Sequence, residues 1–166
     1  HENIVYFGDT ARLPYGDKSP ETIIRYTLDT IPFWIKKKVK LLIVACFTAS
    51  SHAIAALQQK LSIPVVGVIP SKIEMGAAKK IAILGTASTI ESGLLQTLIK
   101  NQNGSSLIYP VACPLFVPLI EEGLDTKTIA HHYLGSFQKE KIDAALLACT
   151  HYPLIRPIIQ EVLGPK

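Results

Sequence analysis

The sequence predicts an α/β protein built on parallel sheets. Short apolar runs alternate with longer amphipathic stretches, which is the rhythm of strands connected by helices. Strands are predicted at residues 41–44, 65–68, 81–84, 107–109 and 144–148, and helices at 53–61, 89–100, 115–122 and 126–139. The strands are continuous apolar runs, so we expect burial on both faces. Such sheets bind ligands at the carboxyl ends of their strands, where functional residues are expected.

The stretch at residues 69–79 is the predicted domain boundary. It carries Pro70, Ser71 and Gly76 between two groups of strands, and it divides the chain into domains 1–74 and 75–166.

The amino-terminal end carries a further apolar run at residues 4–7, which predicts another strand. The chain opens on His1 without a methionine, and we expect N-terminal sequence to be missing.

The composition indicates a soluble, folded protein. Of 166 residues, 48% are hydrophobic and 18% are charged, which excludes a disordered chain. No apolar run approaches the roughly 18 residues of a membrane span, and no secretory signal opens the chain. Three cysteines cannot all pair within one chain, so free thiols in a reducing cytoplasm are expected.

A run of lysines contributes to the net charge of +4: Lys36, Lys37, Lys38 and Lys40. The run falls where a helix ends, and lysines there face water and complement the helix dipole. No aromatic residues are interleaved for base stacking, so no nucleic-acid partner is predicted.

Two segments of the chain echo each other. Residues 41–48 end in Ala-Cys-Phe-Thr and residues 144–151 end in Ala-Cys-Thr-His, so each apolar strand delivers a cysteine, Cys46 or Cys149. With a helix after each, both thiols are expected near a helix amino terminus, where the dipole stabilises a thiolate.

The two thiols suit a reaction that removes a proton from carbon and returns it on the opposite face. That chemistry needs one basic and one acidic group on opposite sides of the substrate. His151, beside Cys149, is a candidate for tuning the pKa of that thiol. Taken singly, each cysteine is better explained as a small buried hydrophobe, but the matched pair favours function.

The third cysteine and the histidines fit other kinds of site less well. Cys113 precedes proline and is assigned to structure. A zinc site at Cys46, His52, Cys149 and His151 lacks the close ligand spacing of metal motifs, so no metal is predicted.

The stretch at residues 85–89 follows a strand and opens a helix, as an anion-binding loop does. One glycine is not a dinucleotide fingerprint. Holding a carboxylate through Thr86 and Thr89, or ordinary N-capping, both remain open.

Five stretches together closely resemble bacterial glutamate racemases. They are residues 6–16 (YFGDTARLPYG), 45–50 (ACFTAS), 85–86 (GT), 114–119 (PLFVPL) and 149–154 (CTHYPL). They occur in the family's order over essentially the whole chain, and two contain the family's catalytic cysteines.

The resemblance implies two pseudo-symmetric α/β domains with glutamate in the cleft between them. It also implies a cytoplasmic homodimer that needs no cofactor or metal and supplies D-glutamate for peptidoglycan. Cys149 resembles the base acting on L-glutamate and Cys46 the base acting on D-glutamate, with supporting acid–base residues at His151 and Glu121. Substrate contacts are implied at Pro14, Tyr15, Gly16, Phe47, Thr48, Thr86, Thr89 and Thr150.

The chain departs from the family in two respects. Phe47 stands where the family has asparagine, whose amide resembles a ligand for the polar groups on the substrate's α-carbon. The alternative is that the ring packs into the core. The family's opening strand with its Asp-Ser-Gly loop, and the later segment that completes its first domain, are absent.

Two other functions stay open at this point. An aspartate racemase of the same superfamily would use the same paired thiols with a shorter pocket. A catalytically inactive binding module would keep the fold without proton exchange.

Overall fold

The chain folds as alternating helices and strands, which confirms the α/β class with parallel sheets. The computed structural model describes residues 2–102 and 104–164. Of the predicted domains 1–74 and 75–166, residues 1, 103, 165 and 166 lie outside the described residues. The elements in chain order are α1 (Pro20–Leu28), α2 (Ile31–Lys36), β1 (Leu42–Val44), α3 (Phe47–His52), α4 (Ile54–Lys60), β2 (Val65–Gly67), β3 (Lys80–Gly85), α5 (Ala87–Glu91), α6 (Leu94–Gln102), β4 (Leu107–Ala112), α7 (Phe116–Glu121), α8 (Lys127–Leu134), α9 (Phe137–Glu140), β5 (Ala144–Ala148) and α10 (Arg156–Leu163). Short 3₁₀ helices cover Thr10–Arg12 and Tyr152–Ile155.

The strands form two parallel sheets. β1 pairs with β2 in the first half of the chain, here residues 2–74. In the second half, residues 75–164, the order is β4-β3-β5 with β3 in the centre. The predicted boundary at residues 74 and 75 falls in the connection between β2 and β3, and it stays a prediction.

The central strand β3 is buried on both faces, as its continuous apolar run predicts. Ala82 and Leu84 face a cluster that includes Phe116, Leu134 and Ile159. The alternate residues of the strand, Ile81 and Ile83, face a second cluster with Leu95 and Ile99 of α6. Alternation of side chains along the strand therefore places helices against both sides of the sheet.

The first half is less enclosed. Trp34, Leu42, Leu57 and Val65 form its buried cluster. On the other face, the paired residues Ile43 and Val66 are 61% and 45% exposed, respectively. The expectation that these strands are buried on both faces is wrong within the described residues, because none of their elements covers that side.

The predicted strand at residues 4–7 is also wrong. This segment pairs with no described strand, and Ile4 and Tyr6 are 91% and 86% exposed. A strand needs a partner for its backbone N–H and C=O groups. Phe7 instead packs its ring on Phe33 and Trp34, with ring centroids 5.1 and 5.7 Å away.

Two predicted long helices are each split in two. The stretch 89–100 divides at Gly93, whose φ of +67° is open to glycine without strain, so α5 and α6 are separate. The stretch 126–139 divides at residues 135–136 into α8 and α9. None of the described helices has both the length and the apolar composition needed to cross a bilayer.

Candidate active site

The register of the three-stranded sheet aligns three chain exits at one edge. Gly85 is paired with Ala112 on one side and with Ala148 on the other. The residues that follow, Thr86, Cys113 and Cys149, therefore leave the sheet at the same level.

Cys149 is a buried thiol held by its own turn. Burial raises its pKa to about 11, while the nearby backbone N–H groups of His151 and Tyr152 act in the opposite direction. The expected lowering of its pKa is wrong, because loss of hydration outweighs these donors. A two-residue turn and a 3₁₀ helix follow Cys149, so no α-helix begins directly at this thiol.

His151 connects Cys149 to a carboxylate. Its Nδ1 lies 3.8 Å from the Cys149 sulfur, and its Nε2 lies 2.5 Å from Oε1 of Glu121. Glu121 is the last residue of α7. If Nε2–H donates to Glu121, Nδ1 is the free acceptor toward the thiol. The glutamate that meets His151 is thus Glu121, the candidate that the sequence places beside Glu122.

Cys46 occupies the equivalent strand end in the first half, but in a different environment. It is the N-cap residue of α3, and its carbonyl accepts the first helical hydrogen bond from Ser50 N–H at 2.8 Å. Its side chain is half-buried. A charge on Cys46 raises the pKa of both Cys149 and Tyr15, so the three groups lie within electrostatic range of one another.

Three threonine hydroxyls join the two halves. Thr48 lies 2.9 Å from Thr86 and 3.1 Å from Thr89, and the last two are 2.9 Å apart, all between Oγ1 atoms. All three side chains are buried, and Thr89 is 0% exposed. Each hydroxyl both donates and accepts, so the triangle satisfies these groups without water.

The loop at residues 13–16 packs against this triangle. Ser88 N–H donates to the Gly16 carbonyl at 2.9 Å, and a Cβ on Gly16 would lie 2.4 Å from Cβ of Thr86. Only glycine allows this approach. Pro14 and Tyr15, the other predicted contacts in the loop, are half-buried beside it.

The other two predicted substrate contacts are Phe47 and Thr150. Phe47, the first residue of α3, packs its ring against the cluster of Ile81 and Ile83 in the second half. This packing is the alternative that the sequence left open for Phe47. Thr150 is exposed.

The described residues line two cavities. One of about 340 Å³ lies between the α3–α4 segment and Leu94, and one of about 230 Å³ runs along β5 and α10. Neither is lined by Cys46 or Cys149. Residues 2–102 and 104–164 contain no group of three or more histidines, cysteines or acidic residues arranged to hold a metal ion.

The paired strand-end thiols agree with what a comparison with protein families finds. Residues 1–166 match the family described as Asp/Glu/Hydantoin racemase. The chain belongs to this family. The resemblance read from the five sequence stretches is thereby confirmed.

Individual relatives of this racemase-family chain are named glutamate racemases. Those of Geobacter metallireducens and Aquifex pyrophilus are 46% and 45% identical to it over 99% and 98% of its length. The chain spans 64% and 66% of these relatives, slightly less than two thirds.

Solved structures agree. The Francisella tularensis glutamate racemase in complex with D-glutamate matches with a TM-score of 0.89 at 37% identity, over 99% of this chain and 65% of its own. The Aquifex pyrophilus enzyme matches with a TM-score of 0.79 at 42% identity, over 98% and 66% respectively.

Further side chains that the sequence did not single out support the site. Asp9 accepts from the Tyr15 hydroxyl at 2.5 Å and from Arg12 Nε at 3.1 Å, and Arg12 reaches Asp29 at 3.0 Å. Tyr152 is wholly buried. The sequence holds two signals for these residues. Asp9 and Arg12, an acid and a base, stand three residues apart before the loop, and Tyr152, an aromatic with a polar tip, stands shortly after β5.

We predict that Gly16→Ala destabilises the protein by about 1–3 kcal/mol, because the new methyl group overlaps Thr86 and displaces the loop. Urea unfolding measures the change. Gly104→Ala is the matched control, since its Cβ would meet only the Lys100 carbonyl at an ordinary 3.7 Å. Equal stability of the two variants would contradict the close packing.

The buried thiols predict an alkaline loss of stability. Burial raises the pKa of Cys149 to about 11, and burial together with Cys149 raises that of Cys113 to about 12. Both thiols stay neutral in the folded chain when they already ionise in the unfolded one. Their stabilising effect is complete below about pH 9 and is lost as pH rises toward 11.

Urea unfolding between pH 7 and 11 tests this prediction. Cys113→Ala should be less stable at pH 7, because a buried thiol is lost, but should decline less steeply above pH 9. Parallel declines in the two proteins would be evidence against it.

Proposed function

We propose that this chain carries the active site of a glutamate racemase, which interconverts L- and D-glutamate without a cofactor. The supporting observation is the pair of strand-end thiols, Cys46 and Cys149, within electrostatic range of each other. The named glutamate racemases among its relatives support the choice of substrate.

The proposed reaction uses one thiolate and one thiol. The Cys149 thiolate removes the α-proton of L-glutamate, and the Cα–H electron pair remains on the substrate as a carbanion delocalised into the α-carboxylate. Cys46 then donates its thiol proton to the opposite face, giving D-glutamate. Cys149 ends as the thiol and Cys46 as the thiolate, so the reverse reaction starts from D-glutamate.

The environment of Cys149 suits a base that must attack a weakly acidic carbon. A thiolate with a raised pKa is rare but strongly basic, and Brønsted behaviour rewards that basicity once the thiolate forms. His151 accepts the thiol proton through Nδ1, and the Glu121 carboxylate stabilises the resulting imidazolium. These roles make His151 and Glu121 supporting acid–base residues.

The polar groups around the thiols supply candidate substrate ligands. Thr48, Thr86 and Thr89 hold three hydroxyls at one point, and the backbone of Gly16, in the same loop as Pro14 and Tyr15, borders them. Thr150, exposed beside Cys149, presents a further hydroxyl. We assign these groups to the carboxylates and the ammonium group of glutamate. Parallel assays with glutamate and aspartate test that assignment.

The wider expectations are also proposals. The two sheets would belong to two domains, residues 1–74 and 75–166, with the substrate in the cleft between them. The enzyme would act in the cytoplasm as a homodimer and supply D-glutamate for peptidoglycan.

We predict that Cys46→Ser and Cys149→Ser each lower racemisation by a factor of about 10² or more, because a hydroxyl is a far weaker acid than a thiol. Circular dichroism of glutamate follows the reaction. Cys113→Ser is the matched control, since its side chain is buried in the core and its thiol donates to the Val111 carbonyl. This variant should lose stability while keeping turnover. Near-normal turnover in either of the first two variants would refute the mechanism.

We predict that Phe47→Asn leaves KM for glutamate unchanged, because the side chain at position 47 packs into an apolar cluster. Steady-state assays measure KM, and a lower KM in this variant would show that position 47 contacts the substrate. Stability should fall in the same variant, because the ring packs on the cluster of Ile81 and Ile83.

Phe47→Leu is the control for Phe47→Asn: it reduces the ring to an aliphatic group and adds no amide. If both variants leave KM unchanged, position 47 does not contact the substrate.

A further inference from the structure

Tyr152 is a buried aromatic residue with a specific polar contact. Its side chain is 0% exposed, and its hydroxyl donates to the Cys113 carbonyl at 2.9 Å. The same carbonyl accepts from Phe116 N–H at 3.3 Å, and the rings of Phe116 and Tyr152 meet edge to face at 5.2 Å. The side chain is thus held by a hydrogen bond and by ring packing.

This contact spans the central strand of the sheet. Tyr152 follows β5 and Cys113 follows β4, and both strands flank β3. The two strands do not pair with each other, so the hydroxyl ties together two loops that the backbone ladder leaves independent. The tie lies at the edge of the sheet where Cys149 emerges.

Two sets of groups on Cys149 depend on the position of this residue. Tyr152 N–H donates to the Cys149 carbonyl at 3.2 Å, and the N–H groups of His151 and Tyr152 both favour the thiolate of Cys149. Phe116, which packs on Tyr152, begins the helix that ends at Glu121, and Glu121 holds the His151 ring. One side chain therefore determines the spacing between the turn and α7.

We propose that Tyr152 is a positioning residue for Cys149: the bond from its hydroxyl to Cys113 holds the turn and α7 at the separation at which the His151–Glu121 pair reaches the thiol. The proposal rests on the proposed racemase function for its catalytic consequence. Its structural part, the control of the Cys149 thiol, does not depend on turnover.

Four titratable groups other than Tyr152 influence the ionisation of the Cys149 thiol. Cys46 and Cys113 interact with it through charge, and His151 contacts it directly with Glu121 behind. Tyr152→Phe leaves all four side chains in place and removes a single oxygen atom, which donates to the Cys113 carbonyl. Burial raises the pKa of Tyr152, so the hydroxyl that is removed carries no charge near the thiol. A change in Cys149 then reports how the turn and α7 are held.

The first experiment measures alkylation of Cys149 by iodoacetamide between pH 7 and 9, with Cys46 followed in the same sample by mass spectrometry. In Tyr152→Phe, the rate at Cys149 should fall about 3- to 10-fold, because the thiolate is less populated, and the rate at Cys46 should stay unchanged. Tyr109→Phe is the matched control, since it removes a tyrosine hydroxyl of the same half whose hydrogen bond goes to Glu140 at 3.5 Å.

The second experiment uses α-deuterated glutamate. A weakened Cys149 makes its own proton transfer more rate-limiting, so the isotope effect on kcat/KM should rise for one enantiomer and fall for the other. A general loosening of the fold would not move the two in opposite directions. L-glutamate is the enantiomer for which the rise is expected.

The outcomes separate the two proposals. Unchanged alkylation at Cys149 and unchanged isotope effects in Tyr152→Phe would overturn the positioning role while the racemase function stands. Absence of racemisation in the unmodified protein would overturn the function, and the alkylation rates would still decide the role of Tyr152. Should Tyr152→Phe not fold, Phe116→Leu loosens the same ring contact and should slow alkylation of Cys149 in the same direction.

Discussion

The register of β3 against its two neighbours is the constraint from which the candidate site follows. Gly85, Ala112 and Ala148 lie side by side, so the loops after three strands begin at one level. One loop carries Thr86, the next Cys113 and the last Cys149. A shift of one residue in either pairing would turn every side chain of that strand to the opposite face and bury a different set of groups. The core that encloses β3 therefore also determines which atoms reach the site.

The two thiols are chemically unequal although their sequence contexts echo each other. Cys149 is buried beside a histidine–carboxylate pair, whereas Cys46 is half-buried at the start of a helix with the Tyr15 side chain within electrostatic range. A racemase must cross the same barriers in both directions. Different surroundings can serve that purpose if a strong, rare base on one face is matched by a more accessible one on the other.

Much of the fold could be predicted from local pattern, and the failures have identifiable causes. Strand β3 was predictable because a continuous apolar run is buried on both faces in any parallel sheet. Residues 4–7 are also a continuous apolar run, but strand formation depends on a partner, which composition does not encode. The division at Gly93 depends on a positive φ that a helical pattern does not reveal. Local sequence describes what a segment prefers, while pairing and chain direction depend on the rest of the molecule.

The site shows the same division. The two cysteines and His151 could be named from the sequence because reactive groups at strand ends recur with a chemical reason. The pKa of Cys149 could not, since it depends on how much water the surrounding helices exclude. Tyr152 and Asp9 stand beside predicted site residues in the sequence. Their roles depend on contacts with Cys113, 39 positions away, and with Tyr15, 6 positions away.

The packing of Phe47 has a consequence for how the molecule can move. Its ring is inserted into the apolar cluster of the opposite half, directly beside the hydroxyl triangle of Thr48, Thr86 and Thr89. Moving the two halves apart as rigid bodies would expose the aromatic ring to water and break two buried hydrogen bonds, those from Thr48 to Thr86 and to Thr89. Such a motion is slow compared with loop fluctuations. Small molecules therefore reach and leave the thiols through fluctuations of local segments, while the two halves stay fixed to each other.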